Sequence, residues 1–501
     1  MHVIRKRIEF EADPSRVIAK PFMPRNEQRI LAIIKRVLDM NEQARQELLS
    51  TVFERFVTRH KDLEKALLSS FNAIRPFVSR DDSITHGTKL LLGSFFTHEY
   101  SVESTALFNP SIVIHPDQEE VNPGSVRFLL SLRALGEGHI SSIVFRSGIL
   151  DSSGGIALDS VCPFIEVPEV ELDPKYDANT FRLKLRELRA DNPVSDAILS
   201  RLGISFSYEE LLESVQQERQ TTKDTIGRRR TIEAVLWIAQ SNYEERFRQS
   251  SRLEERVVFP VSEDESNGIE DARFVRFIEE DGSMRYYATY TAYDGHDILP
   301  MILETRDFIE FRMRTLNGLY AKDKGMALFP RRINGKYAMV GRHDGENLYY
   351  LESDNIHFWN ESRRIIGPQM EWELVQIGNC GSPVETDAGW LLLTHGVGPM
   401  RRYCIGVILL DKENPSQVIG RLEKPLLEPL EHEREGYVPN VVYSCGSIIH
   451  SNRLIVPYAL SDTSSGIAVV PVEEVVQELT NPNPENFRRN RGVFSSQGNR
   501  R

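Results

Sequence analysis

The feature that most limits the fold of this chain is a repeated pattern of short strands and turns between residues 257 and about 472. Runs rich in Val, Ile, Leu, Phe and Tyr alternate there with turn residues, in sets that each occupy roughly 45 to 60 residues. Repetition of four-stranded antiparallel units at about this period is typical of a β-propeller, in which the blades surround a central cavity. The sequence therefore predicts an all-β core of this class.

The same texture begins earlier, near Gly87. Residues 107–115, 125–134 and 140–145 alternate or run apolar over strand lengths, and turns that contain glycine separate them. We interpret these segments as antiparallel hairpins that belong to the same β core.

Helices are predicted before this core. Between Arg25 and Arg75 the chain contains no glycine or proline, and Ile, Leu, Val and Phe recur at helical spacing. The pattern predicts two or three amphipathic helices over residues 26–78. Such an apolar stripe is typical of core or interface material rather than of a catalytic site. We therefore expect a homo-oligomer in which these helices contribute the interface.

A second helical block interrupts the β texture at about 179–256, where Arg, Glu, Gln and Leu predominate. The end of the chain, 479–501, is polar and contains proline and arginine, which is typical of a loosely docked tail. The predicted organisation is a helical region over 1–86, a catalytic β domain over 87–478 that contains the insertion, and this tail.

Composition excludes several classes of partner. The formal net charge of -12 and the sequence pI near 5.6 argue against nucleic acid, because phosphate backbones need a basic surface. The four cysteines are far apart and form no Cys-x-x-Cys pair, so neither a zinc site nor a disulfide framework is predicted. No segment approaches the ~18 consecutive apolar residues of a membrane span. We expect a cytoplasmic protein without a membrane partner and without a metal site.

The first candidate for catalysis lies where a strand-turn-strand unit begins at Gly268. Glu270, Asp271 and Arg273 stand close together there. A carboxyl group that donates a proton at neutral pH needs a raised pKa, and a neighbouring carboxylate raises it, while Arg273 would hold the pair in place. The alternative is a solvated acidic turn capped by an arginine, since perturbed carboxylates are only probabilistic markers of a site.

Short motifs along the β region add to this candidate. They are Gly-Ile-Glu-Asp-Ala-Arg at 268–273, Tyr-Thr-Ala at 290–292, Leu-Phe-Pro at 328–330, Ile-Asn-Gly-Lys-Tyr at 333–337, Arg342, Trp390, His-Gly-Val at 395–397, Tyr403, Leu-Asp at 410–411, Asn-Pro at 414–415 and Asp-Thr at 462–463. In this order they resemble glycoside hydrolase family 130. The resemblance covers about 106–472 apart from the helical insertion. It implies a five-bladed β-propeller that acts on β-mannosides, as an inverting phosphorylase or, in some branches, as a hydrolase.

The resemblance also implies roles for individual residues. Asp271 corresponds to the general acid, which protonates the glycosidic oxygen through a hydroxyl of the mannose ring, and Glu270 becomes the neighbour that tunes or positions it. In an inverting enzyme the nucleophile attacks from the other face of the sugar. The implied phosphate-binding residues are Lys324, Arg342, His395 and Tyr403. The implied substrate-binding residues are Asn109, Arg133, Glu270, Arg273, Tyr290 and Asp462.

Two positions depart from the family pattern. Ala272 stands where the family usually has proline, which removes a turn constraint but no reactive group. Gln376 stands where many of the phosphorylases have a lysine, which weakens a phosphate or acceptor site of the familiar form. Because Arg342 and His395 remain, we expect phosphorolysis that yields α-mannose 1-phosphate, with inorganic phosphate as co-substrate and no cofactor. The alternatives are an inverting β-mannoside hydrolase of the same fold and a non-catalytic sugar-binding propeller.

Overall fold

The computed structural model describes residues 1–78, 84–172, 175–221 and 225–480. Strands and helices alternate at the beginning of the chain. These elements are β1 (Ile4–Phe10), β2 (Val17–Pro21), α1 (Glu27–Leu38), α2 (Glu42–Phe56), α3 (Leu63–Ile74), α4 (His86–Ser94) and β3 (Thr97–Ser101).

Residues 26–78, where two or three helices were expected, contain three, and their first residues follow from capping. The side chains of Asn26, Asn41 and Asp62 each accept a backbone N–H of the first turn of α1, α2 and α3. Helix α4 and strands β1 to β3 were not predicted. β1 lacks a local partner and pairs with a strand at the other end of the chain, from Ile4 opposite Val469 to Phe10 opposite Ser465, so no nearby sequence signals it.

The remaining strands form five consecutive sets, which we call units one to five. Unit one contains β4 (Ala106–Ile114), β5 (Val126–Leu135), β6 (Ser141–Leu150) and β7 (Ile156–Leu158). The helical insertion follows, with β8 (Glu169–Leu172), β9 (Tyr176–Asp177), α5 (Ala178–Glu187), α6 (Pro193–Leu199), β10 (Ser205–Phe206), α7 (Tyr208–Thr221), α8 (Ile226–Gln240) and β11 (Tyr243–Arg246). A short strand β12 (Val257–Val258) then pairs back with β6.

Units two to five follow with short 3₁₀ helices but, within the described chain, no further α-helix before the last one. Unit two contains β13 (Gly268–Ile278), β14 (Met284–Tyr293), β15 (Ile298–Thr305) and β16 (Glu310–Thr315). Unit three contains β17 (Ala327–Leu328), β18 (Tyr337–Gly341), β19 (Leu348–Ser353) and β20 (Glu361–Ile366). Unit four contains β21 (Gln376–Asn379), β22 (Val384–Thr386), β23 (Gly389–Val397), β24 (Tyr403–Leu410) and β25 (Val418–Arg421). Unit five contains β26 (Val442–Tyr443), β27 (Ile448–His450), β28 (Arg453–Leu460) and β29 (Ser464–Pro471), and α9 (Val472–Thr480) follows it.

The strands form several open sheets. Units three and four are separate antiparallel sheets, and β1 completes the sheet of unit five by pairing with β29. Units one and two share one long sheet, joined only where Ser141 of β6 pairs in parallel with Gly268 of β13. The prediction of a β-rich core is confirmed. The described sheets do not close on themselves, so the five-bladed ring remains a prediction.

Buried apolar side chains pack each unit against the next. Phe145 of unit one contacts Phe274 of unit two, and Phe277 and Leu328 share a cluster between units two and three. Further clusters join units three and four, units four and five, and units five and one. Each large apolar side chain that is removed from water contributes about 1.5–3 kcal/mol, so these inter-unit cores dominate the stability of the β region.

The insertion ends earlier than predicted. Its helices stop at Gln240, and β11 pairs on one side with β16 and on the other with β8. The sheet of unit two is therefore extended outward by two strands that flank the helices. The helices have a core of their own, built from Phe181, Leu185, Leu211 and Val235 among others.

Three further expectations from the sequence concern the cysteines, membrane-spanning helices and the end of the chain. The four cysteines, Cys162, Cys380, Cys404 and Cys445, are buried and have free thiols. None of the helices in the described ranges is long and apolar enough to cross a membrane. The predicted tail lies outside the described residues from 481 onward, and Leu479 and Thr480 belong to α9.

Candidate active site

A cavity of about 300 Å³ lies where residues from all five units converge. Most of its lining is polar or charged, which suits a ligand with many hydroxyls or a negative charge. Its lining residues are Asn109, Arg133, Glu270, Asp271, Lys324, Arg342, Gln376, His395, Arg401, Tyr403, Val438, Pro439, Val441, Tyr443 and Asp462.

Two β-bulges aim side chains of units one and two into this cavity. The pairing of β13 with β14 shifts between Glu270 and Arg273, and the pairing of β4 with β5 shifts between Phe108 and Ser111. At the centre of these bulges Asp271 and Asn109 have φ angles of 55° and 49°. Asp and Asn adopt this left-handed conformation more readily than most residues. Each bulge re-aims one polar side chain, a known role of bulges beside active sites.

A close backbone approach places the bulge of β13 against unit one. A Cβ atom on Gly268 would lie 2.5 Å from the backbone nitrogen of Ser141, so a larger residue does not fit. The Ser141 hydroxyl donates to the carbonyl of Ile269 at 2.9 Å. The start of β13 is thereby held next to unit one, and Asn109 Nδ2 donates to Asp271 Oδ1 at 2.7 Å.

Glu270 is held by two cations from different units. Arg133 of β5 donates to its Oε1 at 2.7 Å, and Lys324, in the loop between units two and three, donates to its Oε2 at 2.5 Å. Arg133 also lies 3.4 Å from Asp271 Oδ1. Charge-assisted pairs of this kind are short and directional, so they fix both carboxylates.

The environment of Asp271 reverses the expected direction of its pKa. Burial raises the pKa of this carboxyl, but the charges of Arg133 and Arg273 and the hydrogen bond from Asn109 outweigh burial and hold it below its ordinary value. The sequence-based argument that Glu270 raises this pKa is wrong, because the cations that converge on both carboxylates come from distant parts of the chain. In the structure Asp271 is a carboxylate at neutral pH.

Asp462 behaves in the opposite way. Burial and the negative charge of Asp271 raise the pKa of its carboxyl to about 7, and Arg133 opposes this only in part. Asp462 has a φ of 53° in the turn between β28 and β29 of unit five. Two acidic side chains in one cavity therefore have their pKa values moved apart, which is a common arrangement for acid and base roles.

His395 of β23 has a defined tautomer. Its Nδ1 lies 3.0 Å from the carbonyl oxygen of Asn379, and because a carbonyl only accepts, Nδ1 carries the hydrogen. Burial and the charges of Arg342 and Arg273 lower the pKa of His395 to about 3, so the ring is neutral. Its Nε2 is thus a hydrogen-bond acceptor, 3.5 Å from Arg342 NH1.

This imidazole is packed against backbone and aromatic rings. A Cβ atom on Gly378 would lie 2.4 Å from His395 Cε1, so only glycine at that position of β21 leaves room for the ring. The ring of Tyr443 lies 4.9 Å from it and that of Tyr403 lies 6.1 Å from it, centroid to centroid. Its orientation is therefore set by packing as well as by Asn379.

Two guanidinium groups lie beside His395. Arg342, at the turn after β18, has an ion pair with Asp323 at 3.4 Å, which is long for such a pair. Arg401 donates to the Tyr403 hydroxyl at 3.1 Å. Met400 and Arg401 both have left-handed backbone, with φ angles of 58° and 54°, in the turn before β24.

Nine of the eleven predicted site residues line this one cavity, and two do not. Arg273 lies beside it, donating to the Asp271 carbonyl at 2.9 Å and to the Tyr443 hydroxyl at 2.6 Å. Tyr290 points into the core, where its hydroxyl donates to Glu265 at 2.8 Å. A contact between Tyr290 and substrate, as predicted, does not fit this position. Side chains alternate along β14, and that of Tyr290 lies on the face away from the cavity.

Sequence reasoning missed Arg401 and Tyr443 and noted Gln376 only as a departure. All three line the cavity. Arg401 gave no signal in the sequence beyond a Gly-Pro-Met-Arg-Arg turn. Tyr443 stands in a short strand that is recognisable only from its pairing with β28. Among the described residues no cluster of three or more His, Cys, Asp or Glu side chains is arranged to hold a metal ion.

Comparison with known proteins agrees with the order of the motifs. Residues 233–481 match the model of glycoside hydrolase family 130, described as β-1,4-mannooligosaccharide phosphorylase. A 1,2-β-oligomannan phosphorylase from Thermoanaerobacter sp. (strain X514) is 34% identical over 229 residues, which make up 45% of this chain and 75% of that protein. The chain belongs to glycoside hydrolase family 130.

Two further comparisons extend over more of this family 130 chain. A β-1,2-mannobiose phosphorylase from Listeria innocua is 26% identical over 366 residues, or 70% of this chain and 95% of that protein. The solved structure of that phosphorylase with β-1,2-mannobiose has a TM-score of 0.44 at 22% identity, covering 76% of this chain and 93% of the other. The segment matched by the family 130 model contains units two to five, whereas Asn109 and Arg133 belong to unit one.

Proposed function

We propose that this family 130 protein catalyses inverting phosphorolysis of β-mannosides to α-mannose 1-phosphate. A single observation carries the proposal: one cavity combines the carboxyl groups of Glu270, Asp271 and Asp462 with Arg342, Arg401 and the neutral His395. In this reaction an oxygen of phosphate forms a bond to the anomeric carbon. The bond from that carbon to the glycosidic oxygen breaks, and the departing oxygen takes up one proton.

The carboxyl groups serve the sugar side of this reaction. Asp271 is the residue that we assign as general acid, acting through a hydroxyl of the mannose ring. Because it is ionised in the structure, it must receive a proton before each turnover. Asp462 holds a proton up to about pH 7 in the same cavity. We infer that Asp462 is the source of the proton that Asp271 takes up. Asn109 Oδ1 is buried and has no hydrogen-bond partner among the described residues, so it suits a sugar hydroxyl.

The other residues suit the nucleophile. A guanidinium holds two phosphate oxygens at once, and the long ion pair of Arg342 with Asp323 leaves it available for this contact. His395 Nε2 is a hydrogen-bond acceptor, so it would accept a hydrogen bond from the P–OH group of monohydrogen phosphate. Arg401 supplies a further cation beside Tyr403, at a site where Gln376 supplies none.

Phosphate dependence tests this activity against hydrolysis. Release of the acceptor sugar from a β-mannoside should require inorganic phosphate and should be accompanied by an equal amount of mannose 1-phosphate. Arg342→Met should lower this activity by about 100-fold, because a charged contact to the nucleophile is lost. Arg363→Met is the matched control, since exposed Arg363 of β20 in the same unit pairs with Glu352 of β19. Sugar release that proceeds unchanged in phosphate-free buffer would establish a hydrolase instead.

The names of the similar proteins suggest which glycosidic linkage to test in the substrate. Two of them are named for 1,2-β-linked oligomannan and β-1,2-mannobiose. We therefore propose β-1,2-linked mannosides as the first substrates to test. Synthesis from mannose 1-phosphate and mannose, followed by linkage analysis of the product, separates β-1,2 from β-1,4 products.

We also propose that the five units form the blades of a five-bladed ring around the cavity. The apolar clusters between consecutive units, including one between units five and one, support this arrangement. So does the pairing of β1 with β29, since a strand from the other terminus in the last blade holds a ring together. A crystal structure tests the proposal directly. A gap between units one and five would contradict it.

The expected homo-oligomer likewise remains a proposal, with α1 to α3 at its interface. Deleting residues 1–86 is a poor test, because β1 belongs to the sheet of unit five. Leu31 is a better target, since it is half exposed on α1. Light scattering of Leu31→Glu should show a smaller assembly than the unmodified chain, and an unchanged size would count against this interface.

A further inference from the structure

A second cavity, of about 170 Å³, lies between the insertion and the outer edge of unit two. It is bounded by α5 and α8 of the insertion and by the end of β16. We call it the insertion cavity. Of the residues that the structure describes, none lines both this cavity and the active-site cavity. It is therefore a separate site.

The main feature of the insertion cavity is a buried lysine. Lys184 of α5 is 4% exposed. Its Nζ contacts the hydroxyl of Thr315 and lies 5.2 Å from the centre of the Trp237 ring. Glu187, the carboxylate whose charge favours the ammonium most, uses both oxygens to accept the N–H of Gly318, at 3.1 Å each. Among the described residues Lys184 has no ion pair.

Burial of an ammonium group without an ion pair is unfavourable, and this cost lowers the pKa of Lys184. Burial lowers the pKa of Lys184 to about 7, and the charges of Glu187 and Asp264 restore it only in part. An anion in the cavity would supply the missing charge and keep the lysine protonated. A buried charge is normally paired, so this cavity lacks what most buried lysines have.

Other basic groups line the same cavity. His357 Nδ1 is buried and has no hydrogen-bond partner among the described residues. Burial and the charges of Arg314 and Lys184 lower the pKa of His357 to about 4. The imidazole is therefore neutral at pH 7, because a positive charge on it would be repelled by Arg314 and Lys184. Arg314 and Lys175 also line the cavity. Among the described residues of the lining the one acidic side chain, Asp177, caps α5 by accepting the N–H of Thr180 at 2.8 Å.

We propose that the insertion cavity binds a phosphate group, either as inorganic phosphate or as a small phosphomonoester. Lys184 and His357 approach it from two different parts of the chain, and Arg314, which also pairs with Glu244 at 3.4 Å, lies at the same lining, so a ligand with several oxygens suits this site better than a single-atom anion. The volume accommodates a phosphate with a small organic substituent and no more. Binding there would tie α5 of the insertion to the end of β16 in unit two. This site is independent of the proposed reaction.

Calorimetry with inorganic phosphate on the full chain tests the proposal. The unmodified protein should bind two phosphates per chain. Lys184→Met should lose one of them, with affinity at that site reduced at least about 10-fold, while the methionine keeps the contact with Trp237. Arg342→Met should lose the other. Lys35→Met, an exposed change on α1, should lose neither. If Arg342→Met changes nothing while Lys184→Met removes a site, the proposed reaction fails and this inference stands.

Location and ligand class need a second measurement. Crystals soaked in tungstate should show an anomalous peak between Lys184 Nζ and His357 Nδ1. Competition with glycerol 3-phosphate then separates the two sources, since an ester that displaces phosphate at this site favours a phosphomonoester. His357→Gln, which removes a different group, provides a second variant if Lys184→Met does not fold. An unchanged stoichiometry in both variants, or crystals without this peak, would overturn the proposal.

Discussion

The two cavities of this protein treat buried charge in opposite ways. In the active-site cavity Arg133 and Lys324 each donate to Glu270, at 2.7 and 2.5 Å, and Arg133 also lies against Asp271. In the insertion cavity Lys184 faces a hydroxyl and an aromatic ring. Charges in the first cavity are balanced within the protein, whereas Lys184 in the second has no ion pair among the described residues.

This difference in charge balance indicates which class of ligand each cavity can bind. A balanced set of carboxylates and cations keeps its geometry and can offer hydrogen bonds to a neutral sugar. Burial lowers the pKa values of Lys184 and His357 in the insertion cavity, so this cavity gains most from an anion. Removal of one cation should therefore have opposite effects on stability in the two cavities.

Asp271→Asn should reduce turnover about 1,000-fold, within the range for loss of a general acid. The amide keeps the size of the side chain, so binding of the β-mannoside should change little. Initial rates of mannose 1-phosphate release and calorimetric binding of substrate measure the two effects separately. Retained turnover would remove Asp271 as the acid.

Arg133→Met should destabilise the fold by about 3 kcal/mol, because it leaves Glu270 and Asp271 with less compensation in a buried place. It should also raise the pKa of Asp271, since Arg133 exerts the first of the charge effects that lower it. Urea unfolding measures the free energy. Arg363→Met, at an exposed ion pair, serves as the control and should cost less than about 1 kcal/mol. Equal effects of the two variants would show that the active-site charges are not coupled as described.

The pH profile of turnover should reflect Asp462. Its pKa is raised to about 7, so the carboxyl is protonated below pH 7 and ionised above it. Ionisation removes a proton from the cavity and adds negative charge near Asp271. Turnover should therefore fall about tenfold per pH unit on the alkaline side of that pKa. Asp462→Asn cannot ionise, so its normalised profile should lose this limb even if its overall rate is lower. A limb that persists in the variant would belong to another group.

Lys184→Met should change the free energy of unfolding by less than about 1 kcal/mol in phosphate-free buffer, or should stabilise the fold. Replacement of a buried charge without an ion pair by an apolar group of similar volume is often neutral or favourable. Adding phosphate should raise the melting temperature of the unmodified chain more than that of this variant. A loss as large as that for Arg133→Met would show that the two cavities do not differ in the way proposed.

Much of the fold was accessible from local sequence. The apolar spacing over 26–78 predicted helices that the structure contains, because helical periodicity is a local signal. The repeated strand texture over 257–472 predicted the β-rich class of units two to five for the same reason, although not every strand in them. Strand β1 was not, since its partner β29 lies at the other end of the chain.

The candidate site followed the same division. Motifs identified nine residues that share one cavity, because each motif is local and their order resembles a family. The error at Tyr290 arose because a motif does not show which face of a strand a side chain occupies. Arg401 and Tyr443 were missed because their proximity to His395 depends on how units four and five pack.

The sequence by itself determined the β-rich class, the helical N-terminal region and insertion, and the acidic candidate at Glu270 and Asp271. Period-two and helical patterns, turn residues and short motifs are all readable within a few tens of residues. Only the tertiary structure decided the protonation of that candidate. Arg133 is 138 residues away from Asp271 in the chain, yet it lies 3.4 Å from its carboxylate and helps to lower its pKa, whereas Asp462 retains its proton. Electrostatic effects act through distance in space, and that distance is set by packing.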